Sequence, residues 1–222
     1  MKFSRFSSLS AGTVKAIMLV CLADGIVGIS YGSLATGSGF PLWVPLTLSL
    51  LVLAGASEFL FIGIVGGGGS PITAAMAGLL INARHLPFGI AVKDLVGRAP
   101  MSYVGCHIMN DESVVFGVSQ ALQSQRKAAF WLCGLGIALC WPLGVVIGGS
   151  IGKFIPDTQA IGLDAVFPAI LVALILPALK NAKTLISALS GALIALAAVP
   201  FVPVGMPVLF SLAGLIVRRK KS

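Results

Sequence analysis

AAFWLCGLGIALCWPLGVVIGGSIG, residues 128–152, holds 25 consecutive positions without a charged side chain. About 20 predominantly apolar residues cross the hydrocarbon core of a bilayer as a helix, so this stretch reads as a membrane span. The same reading extends outward in both directions, to apolar runs at 13–36, 42–66 and 71–92 upstream and at 161–179, 184–199 and 203–217 downstream. The chain of 222 residues is 57% hydrophobic and only 10% charged, with a mean hydropathy of +1.03, which excludes a water-soluble globule. The expected architecture is an all-α polytopic integral membrane protein, one transmembrane transporter domain over residues 1–222, with some of its helices broken at Gly or Pro.

Residues 101–122 decide the span count, because they hold His107, Asn110, Asp111 and Glu112 in an otherwise apolar setting. Cytoplasmic loops favour Lys and Arg. Eight spans, with both termini cytoplasmic, put Lys2, Arg5, Lys15, Arg126, Lys127, Lys180, Lys183 and the closing Arg218, Arg219, Lys220 and Lys221 inside. Lys93, Arg98 and Lys153 then fall outside, and Arg84 lies within a span. Seven spans, with a broken final hairpin, is the alternative count. The formal net charge of +8 is thereby a matter of membrane topology and not of nucleic-acid binding. Lys2, Arg5 and Lys15 followed by Ala16–Ala23 resemble a signal peptide, but the apolar pattern continues past Asp24 to Ala35, so a first span without cleavage is expected. The four cysteines, at 21, 106, 133 and 140, show no zinc-ligand spacing, and neither a disulfide nor a metal is expected.

Small residues at helical spacing, Gly28 with Gly32 and Gly144 with Gly148 and Gly152, form ridges that let helix backbones approach closely in lipid. Pro142, Pro168 and Pro177 fall inside expected spans, where each removes a backbone hydrogen bond and introduces a kink. Gly66–Gly69 with Ser70 and Pro71 reads as a turn or an unwound helix end; it lacks the Lys-Ser/Thr of a phosphate-cradling loop.

The informative residues are polar groups inside apolar segments: Asp24, Glu58, Asn82, Arg84, His85, His107, Asn110, Asp111 and Glu112, with Asp164 near a span end. An Asp, Lys or Arg at a helix centre costs about 2.5–3.5 kcal/mol on insertion scales, so such groups pair with one another or line a wet pathway. Arg84 lies near the middle of the third span and needs a carboxylate partner, which Asp111 or Glu112 can supply. On continuous helices Asn82 and His85 share one face, and His107 and Asp111 another, with Glu112 turned about 100° away. One fixed cation among this many acids leaves an unbalanced negative interior, which points to proton coupling with His85 and His107 as relays. The plain structural alternative is a salt-bridge network that fixes helix register. For Asp164, stabilisation of a helix dipole is an equal alternative.

Four stretches carry a resemblance to a known family: Leu53-Ala-Gly-Ala-Ser-Glu-Phe59, Ile81-Asn-Ala-Arg-His-Leu-Pro-Phe-Gly89, Asn110-Asp-Glu-Ser-Val-Val-Phe-Gly117 and Gly162-Leu-Asp-Ala165. In order and spacing they resemble the AzlC-type branched-chain amino acid permeases. The resemblance implies a bacterial inner-membrane exporter of leucine, isoleucine, valine or similar small apolar amino acids, working with a small hydrophobic AzlD-type membrane subunit and no cofactor. It places Ser57, Arg84, His85, Asp111, Glu112 and Asp164 on the family's motif positions. The chain departs from the family pattern at Glu58, where Gln is usual, at Asn110, where Thr is usual, and in the first span, which lacks the usual proline and carries Asp24.

The resulting expectation is a proton-coupled secondary transporter and not an enzyme. Its zwitterionic substrate binds near mid-membrane, carboxylate toward Arg84 or a helix N-terminus, ammonium toward Glu58, Asp24 or Asp111, and apolar side chain beside Gly55–Ser57. Asn82, His85, His107, Asn110, Glu112 and Asp164 complete the expected pathway. The rivals are a passive channel, an exporter of another small solute, and an intramembrane metal-dependent enzyme. The last lacks an HExxH motif or a nucleophile elbow, and channels favour rings of like groups over the single mixed cluster seen here.

Overall fold

The computed structural model describes residues 9–152, 172, 176, 179–204 and 206–219, and these are helices and turns without a strand. In chain order the helices are α1 (Ala11–Gly37), α2 (Trp43–Leu51), α3 (Gly55–Gly66), α4 (Pro71–Asn82), α5 (His85–Val92), α6 (Met101–His107), α7 (Asp111–Ser119), α8 (Gln123–Gly152), α9 (Ala182–Ala198), α10 (Met206–Phe210) and α11 (Gly214–Arg219), with a 3₁₀ turn at Ser211–Ala213. Three helical stretches, Ala11–Gly37, Pro71–Val92 and Gln123–Gly152, are long and apolar enough to cross a membrane. The expected span at 161–179, with Asp164, Pro168 and Pro177, lies outside the described residues apart from positions 172, 176 and 179.

The described chain divides into two compact units, one of residues 9–55 and 83–152, the other of residues 56–82 and those from 172 onward. The first is built on α1 and α8. Cys21 lies against Cys133 and Gly136, Gly28 against Trp141 and Gly144, Gly32 against Val145 and Gly149, and Thr36 against Gly152. The numbers rise together, so the two helices run parallel. Glycine makes this approach possible: a Cβ on Gly144 would strike the carbonyl of Gly25, and one on Gly148 that of Ile29. The contact is then fixed by a hydrogen bond that Ser33 Oγ donates to the Gly148 carbonyl at 2.9 Å. Tyr31 stacks on Trp141 with ring centroids 5.8 Å apart.

Beside this pair, Val92, Leu95, Val96, Ile108, Met109, Val114, Phe130 and Trp131 form a buried apolar cluster around α5, α7 and α8. Trp131 Nε1 donates to the Leu95 carbonyl at 2.9 Å, which ties the turn after α5 to α8. In the second unit, Leu60, Ile64, Ala74 and Ala77 pack α3 on α4, with Val208 and Leu209 of α10 against them. The chain then folds back on itself: Ser187 Oγ donates to the Gly214 carbonyl at 2.8 Å and Gly191 faces Ser211, an antiparallel arrangement of α9 with the closing segment.

Among the described residues, the expected spans 42–66, 71–92 and 101–122 are interrupted, at positions the sequence expectation did not give. The interruptions fall at Val52–Ala54, Ala83–Arg84 and Ile108–Asn110, not at Pro or Gly. Pro142 sits inside α8 without ending it. Pro45 and Pro87 lie in the first turns of α2 and α5, where a backbone N–H has no intrahelical partner to lose. The interruption at Ala83–Arg84 lies inside one of the four stretches singled out above, and the other two run into the start of another, at Leu53 and at Asn110. At Leu53 the backbone enters the left-handed region with φ 50°, a conformation that a bulky L residue adopts only where its surroundings impose it.

Candidate functional site

The charged site of the first unit is assembled at two of these interruptions. The α6 helix ends at His107, and Asn110 starts α7 with a reciprocal cap. Asn110 Oδ1 accepts from the Ser113 N–H at 2.8 Å, and the Asn110 N–H donates to Ser113 Oγ at 3.0 Å. This capping box puts Asp111 and Glu112 in the first turn of α7, where the positive end of the helix dipole favours carboxylates. Arg84 stands between the end of α4, where the dipole favours a cation, and the start of α5, where it disfavours one. Its compensation is a salt bridge, Arg84 Nη1 to Asp111 Oδ2 at 3.0 Å, with the two side chains 23% and 28% exposed.

Asp24, on α1, is half-buried and interacts electrostatically with both Glu112 and Asp111. Asp24 Oδ2, Arg84 Nε and Asn110 Nδ2 are buried in this unit and have no hydrogen-bond partner among the described residues. Counted as ionised, Asp24, Asp111 and Glu112 outnumber Arg84 by two charges, so the site suits a ligand that brings positive charge.

The remaining predicted residues lie elsewhere. In the second unit, Asn82 Nδ2 donates to Ser57 Oγ at 3.0 Å, and Glu58, next to Ser57 in the first turn of α3, is 1% exposed. His85 opens α5 and meets Phe88 edge-on at 5.8 Å between ring centroids. Asp164 lies outside the described residues.

Two sequence expectations are corrected here. His107 and Asp111 do not stack on one helix face, because Asn110 caps a new helix between them, and His107 is exposed at the end of α6. Asn82 and His85 do not share a face of one continuous helix, since α4 closes at Asn82 and α5 opens at His85. Sequence reasoning missed Ser113, fully buried and bonded to Asn110; the signal was there in the Asn-x-x-Ser spacing of a reciprocal cap. Among the described residues no group of three His, Cys, Asp or Glu side chains converges to hold a metal ion.

The family model described as AzlC protein matches residues 19–155, which includes the whole charged site of the first unit. The chain belongs to the AzlC family. The branched-chain amino acid transport protein AzlC of Bacillus subtilis is 27% identical to it over 168 residues, 74% of this chain and 66% of that protein. The inner membrane protein YgaZ of Escherichia coli is 25% identical over 75% of this chain and 73% of its own length. An uncharacterized membrane protein of Haemophilus influenzae is 25% identical over 59% and 55%. This chain therefore spans just under two thirds of the length of the Bacillus relative and a little over half of that of the Haemophilus one. No solved structure matches.

Proposed function

We propose that this chain is a secondary transporter that exports branched-chain or similar small apolar amino acids across the bacterial inner membrane. The observation that carries the reading is the Arg84–Asp111 salt bridge, held at a helix interruption in a predominantly apolar chain, with Asp24 in electrostatic reach of Glu112 and Asp111. Ionisable groups at membrane depth are expensive and are retained where they serve a substrate or ion pathway. Interrupted helices whose ends face a charged ligand are a recurrent way to build such a site. The printed name of the Bacillus relative supplies the substrate class.

Proton coupling follows from charge. One arginine cannot balance three carboxylates, and a zwitterion brings no net charge, so a proton taken up and released by Asp24 or Glu112 completes the cycle. His85, next to Arg84, is the relay. Eight spans with both termini cytoplasmic are supported by the parallel packing of α1 on α8. Two parallel spans are separated by an odd number of crossings, and 42–66, 71–92 and 101–122 supply three. The family resemblance adds a small AzlD-type membrane subunit as partner. On α1, Met18, Leu19, Leu22 and Ile26 are 57–60% exposed in the isolated chain, an apolar face for lipid or for that subunit.

The direct test replaces Arg84 by Gln and follows efflux of preloaded leucine, with insertion checked by membrane fractionation. Loss of efflux with normal insertion is the expected result; unchanged efflux removes Arg84 from the mechanism.

A further inference from the structure

The buried atoms left without protein partners have a common logic. The orientation of the Asn110 amide is fixed, because Oδ1 is taken by the Ser113 N–H at 2.8 Å. Its nitrogen is therefore the free end of the amide, in a side chain that is only 7% exposed, and meets no acceptor among the described residues. Arg84 spends Nη1 on Asp111 and leaves Nε buried without an acceptor. Both donors belong to residues tied to Asp111: Asn110 precedes it in the chain, and Arg84 is bonded to it. On the acceptor side, Asp24 Oδ2 is buried without a donor among the described residues. Buried donors and acceptors are ordinarily satisfied, and two N–H donors with one carboxylate acceptor are the complement of an α-amino acid head group, whose carboxylate accepts and whose ammonium donates.

We propose that Asn110 Nδ2 and Arg84 Nε together bind the α-carboxylate of the substrate, that Asp24 receives its ammonium, and that the Arg84–Asp111 salt bridge stays closed beneath it. This inference rests on the transport reading above and narrows it. Asp111, already neutralised by Arg84, is not the ammonium site, and Asn110 has two separate tasks: its oxygen caps α7 and its nitrogen reads the carboxylate. The site therefore demands a free α-carboxylate and a free amine on the same carbon, and leaves the side chain to be selected by shape.

The two tasks of Asn110 can be separated. Ser and Asp both retain an N-cap acceptor and both lack the amide N–H. Binding is measured on the purified full-length chain, wild type, Asn110→Ser, Asn110→Asp and Asp24→Asn, by titration with leucine, with 3-methylbutylamine (leucine without its carboxylate) and with 4-methylpentanoate (leucine without its amine). Thermal unfolding is recorded alongside. Wild type binds leucine more tightly than either fragment. Both Asn110 variants weaken leucine by about tenfold or more, the worth of one hydrogen bond to a charged group, and do not weaken the amine. Asp24→Asn weakens leucine and the amine but not 4-methylpentanoate. If either Asn110 variant folds as wild type does and binds leucine equally well, the assignment of Asn110 is overturned. If wild type binds none of the three, the transport reading itself falls; leucine binding that Asp24→Asn leaves intact overturns the ammonium site alone.

Discussion

Arg84 sits between the end of α4, which attracts a cation, and the start of α5, which repels one, while Asp111 sits at a helix start that attracts it, so the salt bridge supplies the charge compensation that the two opposed helix ends around Arg84 do not. Asp111→Asn leaves that cation uncompensated. The expected loss is on the order of 2 kcal/mol, between the ranges for exposed and for buried pairs whose partner is removed. The double variant with Arg84→Gln recovers most of it, because the stranded charge is gone, yet stays inactive. Thermal unfolding of the four chains in detergent closes the double-mutant cycle. Glu112 belongs to a different part of the account. With Glu112→Gln, leucine counterflow in proteoliposomes persists, because binding and exchange need no proton carried by this group. Net movement driven by a pH gradient disappears, because an amide cannot load and unload a proton. Gradient-driven movement at the wild-type rate would take Glu112 out of the coupling.

At the scale of helices, close packing of α1 on α8 depends on glycine. Gly148→Leu drives a side chain into the Ile29 backbone and lowers stability by about 1–3 kcal/mol, the range for an overpacked contact, whereas Gly12→Ala, at the exposed start of α1, leaves the unfolding temperature unchanged. The glycine ridges were legible in the sequence because their spacing alone carries the information. So were the long apolar helices, because length and composition suffice. The interruptions were not. Val52–Ala54 and Ala83–Arg84 contain neither Pro nor Gly, so no local signal marks them, although at the first of them Leu53 takes a left-handed conformation. The third interruption carried a signal, Asn110 and Ser113 at capping distance, which a reading of the segment as one span passes over. That is also why His107 was expected beside Asp111: helical spacing was applied across a helix boundary.

At the scale of the whole chain, the proposed topology joins the parallel α1 and α8 by an odd number of crossings, and the membrane orientation of two loops tests it. In a chain freed of its four native cysteines, Ser38→Cys after α1 and Ala121→Cys before α8 should lie on opposite sides. A membrane-impermeant maleimide applied to intact cells labels the first and spares the second; equal labelling of both would reduce the crossings between them to an even number. The composition, the charge asymmetry and the four motif stretches already pointed to a transporter, and the structure adds which charges meet. What the sequence could not say is which carboxylate Arg84 takes, because Asp111 and Glu112 are neighbours and only the start of α7 at Asn110 decides between them. The most direct test of the central claim is efflux of preloaded leucine, valine and methionine from cells that express this chain, with and without a small hydrophobic partner subunit and with and without a proton uncoupler. The account predicts efflux that needs the partner and collapses with the uncoupler. Confirmed insertion of both chains with no efflux of any of the three amino acids would contradict it.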